Sequence, residues 1–181
     1  MNTFYVYLGG SHKDNSNWMR DFEKASINLQ AKYNGISIKG VNPFDRNIDE
    51  TDNKAIVKRD LKILQDSRLT HVILKSQSQG AMLSTGTASE CIIASYLAKP
   101  IIVIGEPEVN KLHTRNGTVS SSWYHPFVEY FANVIVKDIN EAIEWICLDI
   151  ISPNKRTNLQ YHLQEISANF QFNDDDNNPF N

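Results

Sequence analysis

The chain has two cysteines in 181 residues, Cys91 and Cys147, and no pairing motif surrounds either of them. That excludes a disulfide-built secreted scaffold and points to a reducing compartment with two buried thiols. No apolar stretch reaches the roughly 18 residues that a membrane helix requires, and no basic segment precedes the first strand-like run, Phe4 to Leu8. Neither a membrane span nor a secretory leader is therefore expected, and the Asn116-Gly117-Thr118 triplet matches a glycosylation site by pattern only. Excess positive charge is missing too. A formal net charge of -3 and a pI near 5.9 leave no basic surface for a polyanion, so nucleic acid is excluded as a partner while a small phosphorylated ligand is not.

What is present fits one ordinary globular domain: 41% of the residues are hydrophobic and 22% are charged. Short apolar runs rich in β-branched and aromatic residues predict five strands, Thr3–Leu8, Ile36–Val41, His71–Leu74, Pro100–Ile104 and Asn133–Val136. Between them, Asn17–Tyr33, Asp52–Gln65, Thr87–Ala98 and Ile139–Ile150 carry apolar residues at three- and four-residue spacing, as in Ile56, Leu61 and Leu64, and predict crossover helices. Right-handed crossovers give a Rossmann-like (flavodoxin-like) α/β fold, a doubly wound five-stranded parallel sheet in the order 2-1-3-4-5. Ligands of such sheets bind beyond the carboxyl ends of the strands. The domain is expected over 1–151. The connection Gly105–Tyr130 is long for this architecture and reads as a lid or subunit contact, or as a disordered loop. From Ser152 a tail follows, with one marginal helix at Thr157–Ala168 and a flexible acidic end, Asn173–Asn181.

Four segments carry chemistry. Ser84-Thr85-Gly86-Thr87-Ala88-Ser89-Glu90 lies between the third strand and its helix, where backbone N–H groups cradle anions and Gly86 permits close approach. The same residues also read as a capping box, Thr87 capping the helix and Glu90 capping back. Gly9-Gly10-Ser11-His12-Lys13 follows the first strand and faces the same crevice: Ser11 and the amides can bind phosphate oxygens, with Lys13, or else His12, as the cation. A plain flexible loop is the alternative. Val41-Asn42-Pro43-Phe44-Asp45-Arg46, after strand two, offers a stiff turn with Phe44 beside a base and Asp45 near the ligand, or simply a packed turn with a surface ion pair. Asp60, in Lys58-Arg59-Asp60-Leu61, is by itself an ordinary solvated helix-face residue.

Taken in this order, the four segments resemble the nucleoside 2-deoxyribosyltransferase superfamily, which includes the 2′-deoxynucleoside 5′-monophosphate N-glycosidases; the resemblance covers roughly residues 3–150. Tyr7-Leu8-Gly9-Gly10-Ser11 is similar to the family's first-strand segment, implying that Tyr7 positions the catalytic carboxylate. Gly86-Thr87-Ala88-Ser89-Glu90, followed by Ala94 and Lys99-Pro100, resembles the turn that carries the catalytic glutamate, so Glu90 inherits the nucleophile's role. Asp60 resembles the aspartate that contacts the base and assists its protonation. Where the transferases carry an aspartate for the 5′-hydroxyl, this chain has Ser84, like the monophosphate hydrolases; a hydroxyl there does not repel phosphate. Ser76–Leu83 is longer than in the compact hydrolases, and Lys75 stands where the family has small or acidic residues.

The resemblance implies a cytoplasmic N-glycosidase or deoxyribosyltransferase acting on a nucleotide or nucleoside, with no metal and no cofactor. An ionised Glu90, favoured by the positive end of its helix, attacks the anomeric carbon while a proton from Asp60 assists base departure. It also implies a homodimer or higher homo-oligomer, with Ser120–Ser122 and Trp123 contributing to a neighbour's site. Rival readings are a phosphoribohydrolase of the cytokinin-activating type, whose Pro-Gly-Gly lead is absent here, a non-catalytic nucleotide sensor, and a structural protein without a ligand.

Overall fold

In the computed structural model, the described residues are 2–10, 16–30, 32–33, 35–45, 52–77, 79–109, 113–115, 118–120, 124–153 and 164. The elements run β1 (Asn2–Gly9), α1 (Ser16–Gln30), β2 (Ile36–Val41), α2 (Asn53–Leu64), β3 (Leu69–Lys75), α3 (Thr85–Tyr96) and β4 (Ile101–Ile104). They continue with β5 (His113–Arg115), β6 (Thr118–Ser120), α4 (Pro126–Phe131), β7 (Val134–Val136) and α5 (Ile139–Ile151). Single 3-10 turns at Pro43–Asp45 and Gln79–Ala81 follow β2 and β3.

β1, β2, β3, β4 and β7 form one parallel sheet in the order β2-β1-β3-β4-β7. This is the doubly wound fold predicted, its fifth strand being β7 because two further strands intervene. The period of two along each strand divides the core into two layers. Val6, Leu8, Ile73 and Ile102 pack with Trp18, Phe22, Ile143 and Ile146 of α1 and α5. Tyr7, Val72, Leu74 and Val103 pack on the opposite side with Ile63, Cys91, Ala94 and Val128 of α2, α3 and α4. Tyr7 is therefore sent by simple alternation to the face that carries α3, where it is fully buried. Both cysteines are free and buried, as expected.

Two predictions change. The connection Gly105–Tyr130 holds an antiparallel pair, β5 with β6, and the short helix α4, so among its described residues it is built structure rather than a disordered loop. Three-residue strands and a six-residue helix are too short to leave a period, while Pro126 opens α4 in the first-turn position that suits a residue without an N–H. α3 begins two residues earlier than predicted because Ser84, not Thr87, is its N-cap. The expected helix at 157–168 and the acidic end at 173–181 lie outside the described residues, apart from Gln164.

The buried histidine of the core is paired on both ring nitrogens. His71 Nε2 meets Asp149 Oδ2 at 3.1 Å and His71 Nδ1 meets Thr70 Oγ1 at 3.0 Å, tying α5 to β3 with both partners about 1% exposed. No helix among the described residues is long and apolar enough to cross a membrane.

Candidate functional site

β1 ends beside the second turn of α3, and there the Tyr7 hydroxyl donates to Glu90 Oε1 at 2.7 Å across 83 residues of chain. The other oxygen, Oε2, is buried and accepts no hydrogen bond among the described residues. A buried carboxylate so sparsely partnered is costly to ionise. Burial lifts the Glu90 pKa to about 7; the nearby charge of Asp60 raises it further, while the Tyr7 hydrogen bond and Arg59 pull it down. Burial, with the charges of Glu90 and Asp60, pushes the Tyr7 phenol far above its ordinary value, so Tyr7 stays a hydrogen-bond donor.

Gly9 makes room for this pair. A Cβ there would stand 2.6 Å from Glu90 Oε2 and 2.7 Å from Leu74 Cδ2, so any side chain would displace the carboxyl group. Gly9 is thus required by Glu90 itself, beyond the ligand-cradling role expected of it. Gly86 differs: apart from its chain neighbours and its own helix backbone, no atom of the described residues lies within 4 Å of where its Cβ would be, and it is exposed in the first turn of α3.

Ser84 Oγ accepts from the Thr87 amide at 3.3 Å and lies 2.9 Å from Thr87 Oγ1. With Ser84 as cap, Glu90 stands six positions into the helix and cannot reach back to the terminal amides. The capping-box alternative therefore fails, and so does the expectation that the helix's positive end keeps Glu90 ionised, because that field fades within the first turn. Thr87 is buried beneath the turn at 3% exposure.

From α2 comes Asp60, whose side chain is 19% exposed and accepts from Arg59 Nε at 2.8 Å. It is not the solvated face residue that its basic neighbours suggested. Arg59 is itself buried, and its guanidinium carbon lies 5.3 Å from the centroid of the Phe44 ring. Phe44 is set by a local turn in which Asn42 Oδ1 accepts from its amide at 3.0 Å. Sequence reasoning passed over Arg59 because charged helix residues normally face water. The available signal was its spacing from Ile56 and Ile63, which puts it on the buried stripe of α2.

Tyr7, Gly9, Asp60 and Glu90 are thus brought together at the carboxyl end of β1, with Phe44 joined through Arg59; Ser84, Gly86 and Thr87 form the entry of α3, and Gly10 is half-buried beyond β1. Ser11, His12 and Lys13 lie outside the described residues, as do the Asp45 side chain, Ser121, Ser122 and Trp123. Lys75 is turned away from this cluster, its ammonium 5.9 Å from the ring centroid of Trp18. On the other flank of α3 an apolar hollow of about 210 Å³ is lined by Leu83, Ala88, Cys91, His125, Val128 and Phe131, with none of Tyr7, Asp60 or Glu90 in its walls. No group of three or more metal-ligating side chains occurs among the described residues.

No protein-family model and no curated protein matches the chain. Among solved structures, that of a conserved protein from Enterococcus faecalis V583 is similar, at 12% identity and a TM-score of 0.50 over 79% of this chain and 96% of that one. A likeness at that identity supports the fold alone.

Proposed function

We propose that the crevice at the ends of β1 and β3 hydrolyses the N-glycosidic bond of a (deoxy)nucleoside 5′-monophosphate, releasing free base and sugar 5-phosphate. The observation that carries this reading is the Tyr7–Glu90 hydrogen bond with Asp60 and its buried arginine alongside: a carboxyl nucleophile held by a neutral donor, next to a second carboxyl group. Two carboxyl groups in different environments are the working parts of retaining glycoside cleavage.

In the proposed reaction the Glu90 carboxylate bonds to the anomeric carbon as the carbon–nitrogen bond breaks and its electron pair leaves with the base. Asp60, directly or through a water, helps deliver the proton that the departing base takes up. A water then attacks the anomeric carbon of the glycosyl ester and passes its proton to Asp60, freeing sugar phosphate, returning Glu90 as a carboxylate and replacing the proton given to the base. Tyr7 fixes Oε1 and stays protonated throughout. The phosphate would lie at the entry of α3, where Thr85 and Gly86 are exposed and Ser84 offers a hydroxyl rather than a charge. A nucleoside 2-deoxyribosyltransferase would use the same first step, a second base replacing water.

The reading includes a cytoplasmic location, in keeping with two free, buried thiols, and a homo-oligomer, supported by Ile92, Tyr96, Phe127 and Tyr130 standing 42 to 65% exposed on α3 and α4.

The test is base release from a panel of nucleoside and deoxynucleoside 5′-monophosphates and the matching nucleosides, comparing wild type with Glu90→Gln. Free base from a monophosphate, lost in the variant by at least about a thousandfold, is the expected result. Tight nucleotide binding without turnover would replace the glycosidase with a nucleotide sensor.

A further inference from the structure

The proposed chemistry uses Tyr7, Asp60 and Glu90 and leaves unexplained why a guanidinium stands among them. The Arg59 side chain is 2% exposed, and an unpartnered charge at that depth costs several kcal/mol. One of its partners is the next residue along the helix, Asp60, at 2.8 Å. Neighbours i and i+1 on a helix do not ordinarily face each other, so this contact requires both side chains to bend to one side. The guanidinium carbon stands over the Phe44 ring, 5.3 Å from its centroid, within reach of a cation–π attraction. Two segments, the turn after β2 and α2, thereby meet around one cation whose charge is felt by Glu90 of α3.

We infer that Arg59 is a positioning residue: its buried guanidinium, laid on Phe44, orients the Asp60 carboxyl group and supplies the positive charge that balances Asp60 and Glu90. Among the described residues the groups acting on Glu90 are Asp60 and Arg59 from α2 and the Tyr7 phenol from β1; Asp60 raises its proton affinity, and Arg59 and Tyr7 lower it. A lysine keeps the charge but lacks the planar face and the fixed donor fork. The inference deepens the glycosidase reading and rests on it only for the catalytic consequence, since the electrostatic balance exists in the ligand-free protein.

The experiment is an NMR titration of the ligand-free protein labelled at the glutamate carboxyl carbons, with the Glu90 signal identified by its loss in Glu90→Gln. Wild type is expected to titrate near 7, and Arg59→Met to move that midpoint up by about one unit. Arg59→Gln, which retains a donor for Asp60, serves if the apolar variant does not fold, with the same direction of shift. Arg59→Lys should return the midpoint toward wild type while kcat/KM for base release falls by about tenfold, the loss of orientation without the loss of charge. An unmoved midpoint in the neutral variants overturns the electrostatic role, and full activity in Arg59→Lys overturns the orienting one. A shifted midpoint in a protein that releases no base from any substrate would remove the glycosidase reading and leave Arg59's role standing.

Discussion

Glu90 is pulled in opposite directions by its surroundings, and stability should record the outcome as well as activity. Its carboxyl pKa is raised to about 7 in the folded chain, against an ordinary 4.5. A group raised on folding contributes stability that is full below its unfolded pKa and lost as pH rises through its folded one. Between about pH 4.5 and 7 this residue should therefore make the protein progressively less stable, by up to about 3 kcal/mol. Glu90→Gln has no charge to bury and can still accept from Tyr7. Denaturant titrations should show it more stable than wild type at pH 8, with the gap closing by pH 5; equal stabilities across that range would mean that Glu90 ionises freely. Under the proposed reaction, the rate of base release should rise with pH in the same window toward a plateau above about 7, as Glu90 loses its proton. Part of this site was legible in the sequence: Glu90 from its small-residue turn ahead of a helix, and Tyr7, inside the first strand, only through the family resemblance. Arg59 was not, because an arginine's burial depends on an aromatic ring and a carboxyl group that only folding brings to it.

At the scale of elements, helical spacing located every long helix and short apolar runs located every strand of the main sheet, and what they missed were the ends and the short pieces. α3 illustrates the ends. At its start a serine outranks a threonine as cap by position alone, and Ser84, three residues ahead of Thr87, takes the place. At its finish Ala98 adopts a left-handed φ of 54°, a conformation usually given to glycine after a helix. The Lys99 amide donates back to the Ala94 carbonyl at 2.9 Å, which holds that bend in place on the way into β4. Ala98→Gly should relieve the crowding of Cβ, worth about 1–2 kcal/mol, and give back part of it through the greater freedom of glycine in the unfolded chain. A net gain of about 0.5 kcal/mol is expected by chemical denaturation; a loss would show that the left-handed bend costs alanine nothing here. Of the short pieces, β5 (His-Thr-Arg) and β6 (Thr-Val-Ser) were invisible because neither is an apolar run like Val-Ile-Val of β7, and α4 because six residues cannot display a helical period.

For the molecule as a whole, the two faces of the sheet differ in that an apolar hollow lies on one of them. α1 and α5 cover the other side, and the buried His71–Asp149 pair pins α5 down. On the side of the hollow α3 and α4 leave Ile92, Tyr96, Phe127 and Tyr130 exposed around it. The proposed homo-oligomer would cover this flank. Light scattering should give at least twice the chain's 20.6 kDa mass, and Phe127→Glu together with Tyr130→Glu should return it toward the monomer. A monomeric wild type at working concentrations would sink the oligomer and leave the Tyr7–Glu90 cluster unaffected.

Local rules, acting through neighbours in sequence, determined the class of fold. Alternation and 3.6-residue spacing dictate which faces are apolar, and short connections between parallel strands leave few ways to wind them, so the strand order followed from the chain alone. They also placed Tyr7, Gly9 and Glu90 at the mouths of strands and helices. Tertiary structure alone decided their chemistry. Whether Arg59 turns inward onto Phe44 and takes Asp60 with it, and whether Glu90 titrates like a surface carboxylate or near neutrality, depend on groups brought in from elsewhere in the chain, as Tyr7 is from 83 residues away. A pKa responds to burial and to charges a few ångströms away, and those distances exist only once the sheet has brought β1, α2 and α3 together.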